Sequence, residues 1–389
     1  MNCEKHLMSV VSAMCLAITV FLTGSISVHG KSNGNLIVRE TTISDVTSSN
    51  IPIEAIETAE SNLNKFATCI YQSENEKTDI NTSDDFTLGS GFYIYRTNGE
   101  EIQRTDTIMF PVYQRGVVVF MIKVFPASER GKWSATGGRG YADEYESMVK
   151  TDGDFIALVN TEERKMEFKS LQSNSSNSFS NLTISDTKTS AIIPNEINSI
   201  IQANAQNSID GIGFSTDEPN HKEIRMDWCL VLQNDRNGNL VGLCWAASAA
   251  TIIRQQTGNR TIEAPDIADE MGIGYNSGGS IVDARTAMIN HGCTTQYQAI
   301  SRQAVNFYEI ENCINNQYPI YMNCGSQSNP DEGHAVTMTG YNLNTSSLQY
   351  YDSAMNEFEW VGFADGSSAT IYSLGEYYAW NASVMIPIY

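Results

Sequence analysis

Cations are scarce in this chain of 389 residues: Lys plus Arg number 24 against 45 Asp plus Glu, for a formal net charge of −21. That balance excludes nucleic-acid binders, which need cations to displace phosphate counterions, and polybasic membrane-surface proteins. Long apolar runs are also missing after the first thirty residues. Val117 to Phe125 is strongly apolar but brief and rich in β-branched residues, which fits a buried strand rather than a membrane span. The eight cysteines are too sparse for a disulfide scaffold, and no Cys-x-x-Cys pair points to zinc. What remains is the composition of a folded protein, with 41% hydrophobic and 10% aromatic residues. At about 100 to 200 residues per domain, the length allows two or three domains.

The start of the chain reads as a secretory signal over residues 1–30. Lys5 and His6 form a weakly cationic start, Leu7 to Leu22 an apolar run, and small residues around Thr23 to Gly30 offer cleavage sites. The alternative, a membrane anchor, needs roughly 20 apolar residues, more than the run supplies. The expected location is therefore extracellular, with no stable membrane insertion once the signal is removed. Cys3 and Cys15 would leave with it, so Cys69, Cys229, Cys244, Cys293, Cys313 and Cys324 remain. If one of these is a working thiol, the others are odd in number and cannot all pair.

Two α+β regions follow, separated by a polar joint. In the first, residues 31–169, Ile53, Ile56, Leu63, Phe66 and Ile70 recur at helical spacing behind Pro52. Strands are expected over Gly91 to Arg96, Thr107 to Tyr113 and Val117 to Phe125, with turns at Asn98-Gly99 and Gln114-Arg115-Gly116. A helix over Tyr141 to Val149 and strands over Phe155 to Val159 and Lys165 to Phe168 close the module. Residues 170–215 turn to Ser, Asn and Thr, with Ser173-Asn174-Ser175-Ser176-Asn177-Ser178 at the centre, which reads as a linker that proteases can cut. The second region, residues 216–389, is one domain's worth of chain.

The second region carries the chemistry. Leu230 to Asn234 reads as a short strand, Asp235-Arg236-Asn237-Gly238-Asn239 as a polar turn, and the Ala-rich run from Cys244 to Ile253 as a buried helix ended near Gly258. Cys244 thus stands at a helix N-terminus, where unpaired amides and the helix dipole favour a thiolate. The bland alternative is a buried, inert thiol, so partners decide. Three histidines remain after the signal. His221 lies in a charged approach expected to be unstructured, and His291 precedes Gly292 at a helix end, where it can complement the C-terminus. His334 opens a strand, Gly333-His334-Ala335-Val336-Thr337-Met338, and the next strand, Leu348 to Asp352, ends in a carboxylate. A cysteine, a histidine and an acid so arranged supply a nucleophile, a base and an orienter. The oxygen-rich 235–239 turn lacks the spacing of a calcium loop.

These motifs together resemble the papain-like cysteine peptidases. Leu243-Cys244-Trp245-Ala246-Ala247 is similar to the family's Cys-Trp-Ala motif. Gly333-His334-Ala335-Val336 with Gly340-Tyr341 is similar to its histidine strand, and Tyr351-Asp352 falls where it places Asn or Asp. A helix from about Arg302 to Asn315 followed by Tyr318 to Met322 is similar to the compact bacterial branches, among them the streptopain-like and staphopain-like secreted enzymes and the related bacteriocin-leader and effector peptidases. The resemblance implies an α+β fold with a central cysteine-bearing helix packed on an antiparallel sheet that carries the histidine and acid. It implies Cys244 as nucleophile, His334 as base and acid, Asp352 as orienter and Gln233 as oxyanion-hole side chain, acting on protein or peptide substrates with no metal or cofactor. Gln233 departs from the pattern: it stands eleven residues before the cysteine, where about six is usual, so either the polar turn loops out or Asn234 or another group takes its place.

The same resemblance implies a zymogen in which residues 31–169 form an inhibitory prodomain bound intramolecularly, the alternative being an independent substrate- or wall-binding domain. Other activities fit the scaffold: an acyl transferase or transglutaminase-like enzyme using the same thioester, or a non-catalytic secreted binding protein. Charge bears on the site as well. No Lys or Arg follows Arg302, so the His334 and Asp352 strands are expected to be flanked only by acids such as Asp331 and Glu332, raising the His334 pKa and favouring cationic substrates.

Overall fold

The computed structural model describes residues 51–73, 75, 86–97, 101–127, 131–150, 155–160, 165–170, 183–184, 220–293, 296–298, 306–327, 329, 331–363 and 369–385. The expected signal, most of the Ser/Asn joint, the Asn98-Gly99 turn and Arg302 lie outside them. The chain divides into compact units Met1–Asn35 and Leu36–Tyr389, and everything described belongs to the second. Among the described residues no helix is long and apolar enough to cross a membrane.

The first helix, α1 (Ile53–Gln72), buries Ala55, Ala59, Leu63, Phe66 and Ile70, a stripe at the three- and four-residue spacing of one helical face. It lies on a sheet of β1 (Phe86–Leu88), β2 (Phe92–Thr97), β3 (Glu101–Gln114), β4 (Val117–Pro126) and β5 (Trp133–Gly138). Gly137 is required where helix and sheet meet, because a Cβ there would stand 2.6 Å from the Phe66 ring. Arg115 and Gly116 take positive φ of 54° and 78° in the expected β3–β4 turn, the left-handed pair that suits a two-residue hairpin. Next come α2 (Ala142–Lys150), β6 (Phe155–Asn160), which pairs parallel with β2, and β7 (Lys165–Ser170). Of the polar joint, Thr183–Ile184 is described, as a two-residue β8 against β3.

After β9 (His221–Glu223) come three helices, α3 (Cys244–Thr257), α4 (Ala264–Met271) and α5 (Ile281–Asn290). They are followed by β10 (Gln296–Gln298), α6 (Phe307–Asn315), β11 (Ile320–Ser326), β12 (Gly333–Asn342), β13 (Ser347–Asp352), β14 (Glu357–Gly362), β15 (Thr370–Ser373) and β16 (Glu376–Met385). Helix α3 is buried from Trp245 to Arg254, and its run of alanines lets α4, α5 and strand β12 approach closely. It ends at Gly258 with φ 73°, a left-handed cap. One departure from expectation is that Leu230 to Asn234 forms no strand. Its contribution is a single isolated bridge, Asn234 with Leu240, because the partner segment is the return arm of its own loop.

The strands form one sheet in the order β10-β16-β11-β12-β13-β14-β5-β4-β3-β2-β6-β7. The two α+β regions meet inside it, where β14 runs antiparallel to β5 with Trp360 opposite Gly137 and Val361 opposite Thr136.

Candidate active site

Three elements converge on one cavity. Cys244 is the first residue of α3, behind Leu243, whose side chain does not cap the helix. His334 begins β12, in register with Cys324 of β11. Asp352 ends β13, which pairs with β12 along Thr337–Asn342. The His334 Nε2 lies 3.0 Å from Asp352 Oδ1, and the same oxygen accepts the Ala354 amide at 2.8 Å. Asp352 is fully buried and His334 is 7% exposed, so both are held by packing as well as by their bond. The Tyr378 ring stands 5.3 Å from the imidazole, covering one side of it.

The electrostatics follow from this arrangement. Burial alone raises the Cys244 thiol, but the hydrogen bond and charge of His334 and the Ala335 backbone outweigh it, so its pKa is lowered. Burial alone depresses the His334 imidazole, but the Asp352 charge and hydrogen bond, together with Cys244, outweigh it and raise the pKa to about 10. Asp352 is lowered: burial opposes ionisation, while His334, the Ser373 hydroxyl and the Ala354 amide overcome it. The lowered thiol and raised imidazole favour transfer of the Cys244 proton to His334. The direction for His334 is the expected one, but its cause lies in contact with Asp352 and Cys244 rather than in Asp331 and Glu332. Other thiols contrast with Cys244: burial pushes Cys229 and Cys293 up to about 12.

Gln233 reaches the same cavity by an unusual route. Its backbone brackets that of Val241, whose amide donates to the Gln233 carbonyl at 3.0 Å. Between them the polar turn closes on itself, with Asp235 N–H to Asn239 O at 2.8 Å and the Asp235 carboxylate accepting the Asn237 and Asn239 amides. The turn is therefore an excursion that returns to its starting point, and it brings Gln233 beside Val241, three residues from Cys244. The Gln233 side chain is buried. Its Nε2 donates to Val241 O at 2.9 Å and its Oε1 accepts from Ser353 Oγ at 3.3 Å. An amide nitrogen has two hydrogens, so one remains for the cavity.

That cavity, of about 560 Å³, is lined by Cys244, His334 and Gln233 along with Gly242, Glu332 and Ser373. Arg96 and Val159 of the first region line it too, so acids are not its only charges. Ser353, Ser373, Tyr378 and Arg96 were not among the sequence candidates. Ser353 adjoins Asp352 and could have been noticed; the others are joined to the site only by tertiary pairing.

The remaining histidines lie elsewhere. His291 is the C-cap of α5 and pairs with Glu270 at 2.7 Å, in keeping with a helix-end role. His221, expected in unstructured chain, instead lies on β9. There its Nε2 is 3.2 Å from Glu223 and its ring 5.7 Å from that of Trp360, because β12 offers β9 an edge to pair with.

No curated protein matches this chain. Residues 227–372, the stretch that carries Gln233, Cys244, His334 and Asp352, match the Peptidase_C39 like family, which supports a papain-like cysteine peptidase.

Proposed function

We propose that the protein is a secreted papain-like cysteine endopeptidase that works through a thioester acyl-enzyme. The observation that carries this reading is the continuous Cys244–His334–Asp352 contact, with thiol lowered and imidazole raised, opening on a cavity. The Cys244 thiolate attacks the scissile carbonyl carbon. The oxyanion is stabilised by the second Nε2 hydrogen of Gln233 and by the Cys244 amide, donors fixed before reaction. His334, as imidazolium, protonates the leaving amine, and the Cys244 thioester remains. Water, deprotonated by the now neutral His334, hydrolyses it and restores the pair. Asp352 holds the ring in orientation and stabilises its charge.

The Asp331 and Glu332 carboxylates at the cavity mouth favour substrates with cationic side chains near the scissile bond, since the Arg96 charge is balanced by Glu376. The chain is made as a zymogen matured by a cut within the linker of residues 170–215. The order of segments and the Ser/Asn composition support that reading.

The test is to express the chain from Lys31 onward with a thiol reductant and treat it with an epoxide that alkylates activated thiols. Labelling at Cys244, peptide hydrolysis, and self-processing abolished by Cys244→Ala are expected. Absence of label at Cys244 in the processed protein would sink the peptidase reading.

A further inference from the structure

The two regions join as parts of one domain interior rather than as separable partners. At the β5–β14 junction, Lys123 of β4 is 1% exposed and forms an ion pair with Glu359, itself 0% exposed. Glu357 lies 3.5 Å from the same ammonium. Trp360, fully buried, is part of the core made by α1 and strands β1–β5. Phe125 stacks on Tyr372 at 6.0 Å and on Tyr377 at 5.9 Å. Beyond α1, Asn75 Nδ2 donates to Glu223, to the Ile224 carbonyl and to Gln349, and Asn75 Oδ1 accepts the Met226 amide at 3.0 Å. Surfaces built to part keep charge on a solvated rim, whereas permanent ones resemble a domain core cut in half. Separation here would uncover Trp360 and Tyr372 and leave β14 an open sheet edge.

A second set of contacts runs from the first region to the reacting groups. Arg96 of β2 donates from Nη2 to the Gly375 carbonyl at 2.6 Å and forms an ion pair with Glu376. Both sit at the β15–β16 turn, where Leu374 and Gly375 hold positive φ of 46° and 83°. Left-handed backbone at a leucine is unfavourable unless its surroundings impose it, and the Arg96 clamp is such a constraint. The residue just before, Ser373, is 1% exposed and lines the same cavity as His334; its hydroxyl and Asp352 Oδ2 are both buried without a hydrogen-bond partner among the described residues, and the hydroxyl lies near enough to favour the ionised Asp352 carboxylate. The path is Arg96, the 373–376 turn, Ser373, Asp352, His334.

We propose that residues 51–170 are not shed on maturation but remain as a second, non-covalently held chain of the working enzyme, in which Arg96 is a positioning residue for Asp352. This rests on the proposed maturation cut; the retention itself does not depend on catalysis.

Two measurements test it. In the first, the chain from Lys31 onward bearing Cys244→Ala is nicked within residues 171–219 by a trace of added subtilisin and run on gel filtration in native buffer and in high salt. The two fragments are expected to co-elute in equal amounts and to part only in denaturant; separate elution in native buffer overturns the proposal. Because this variant has no nucleophile, the result stands whether or not the peptidase reading does. In the second, the chain from Lys31 onward with Cys244 intact is nicked in the same way and its Cys244 is alkylated with iodoacetamide, which reports the thiolate pair without turnover. Arg96→Gln should slow alkylation about 3- to 30-fold, the range for residues that couple to a site without touching its ligand. Arg96→Lys should recover most of it while the fragments still co-elute. An unchanged rate in Arg96→Gln, or a loss that lysine does not repair, removes Arg96 from the positioning role.

Discussion

Replacing Asp352 by Asn takes one buried negative charge from beside His334 while leaving an oxygen to accept from Nε2. In the native protein, Asp352 Oδ1 takes the His334 bond at 3.0 Å and the Ala354 amide at 2.8 Å, and its charge helps raise the imidazole to about 10. A hydrogen bond to a charged group is worth about 1.5–3 kcal/mol against about 0.5–1.5 for a neutral one. The difference, about 1.5 kcal/mol, corresponds to about one pKa unit, and the low dielectric around a fully buried pair enlarges it. The alkaline limb of the kcat/KM profile, where imidazolium is lost, should therefore move to lower pH by about one to two units. The acid limb, where the thiolate forms, should also move down, since Asp352 opposes the Cys244 thiolate. That movement should be smaller, because the carboxylate contacts His334 directly. The two limbs belong to the coupled pair and are read as macroscopic values. The assay is hydrolysis of a fluorogenic peptide from acid to alkaline pH by both proteins. An alkaline limb that stays in place, or moves upward, in Asp352→Asn would refute the assignment of Asp352 as the source of the imidazolium's stability.

Gln233→Ala should lower kcat on the order of 10²-fold with little change in KM, as loss of one oxyanion donor does, and Ser353→Ala should act in the same direction but less, because it only releases the Gln233 amide. Steady-state kinetics check both. At the junction, Lys123→Met leaves Glu359 buried without its cation, which should cost about 3–5 kcal/mol; urea unfolding should show it, and Lys123→Met with Glu359→Leu should recover most of the loss. Glu357 gives a pH signature. Burial, only partly offset by Lys123 and reinforced by Glu359 and Asp352, raises its pKa from 4.5 to about 8. The folded state therefore holds a proton the unfolded chain has released, so this group takes away stability as pH rises from 4.5 to about 8. Glu357→Gln should flatten the melting temperature across that window, and an unchanged slope would remove Glu357 as its source.

Much of the candidate site could be read in the sequence because its signals are local. An alanine-rich helix with a cysteine at its start, and a Gly-His-Ala-Val strand followed by a strand ending in Asp, announce themselves by spacing alone. Even the odd position of Gln233 had a readable cause: Asp235 to Asn239 is turn chemistry, and Gly238 takes φ 84° within it. The same stretch misled in its flank, where the apolar Leu230–Leu232 run suggested a strand although no strand among the described residues offers it a ladder.

Pairing between distant strands carries no local signature, and that is why the joining of the two regions was not visible. The pattern of β14 fits a half-buried strand in any sheet, and nothing in Trp360 or Val361 names β5 as partner. Charge offered the better clue. Lys123 interrupts the apolar run Val117 to Phe125, and a lysine in a buried strand requires a carboxylate. Glu357 and Glu359, two apart on β14, face the same side of the sheet and could have been proposed as its partners. The charge argument misfired for a related reason. Reading the lack of cations after Arg302 as the site's environment treated the second region as its own surroundings, whereas Arg96 lines the cavity from a strand of the first region. A sheet shared by two regions makes net charge a property of the fold and not of a stretch of chain, so the field at His334 is set by what lies within a few ångströms of it, Asp352 and Cys244 foremost.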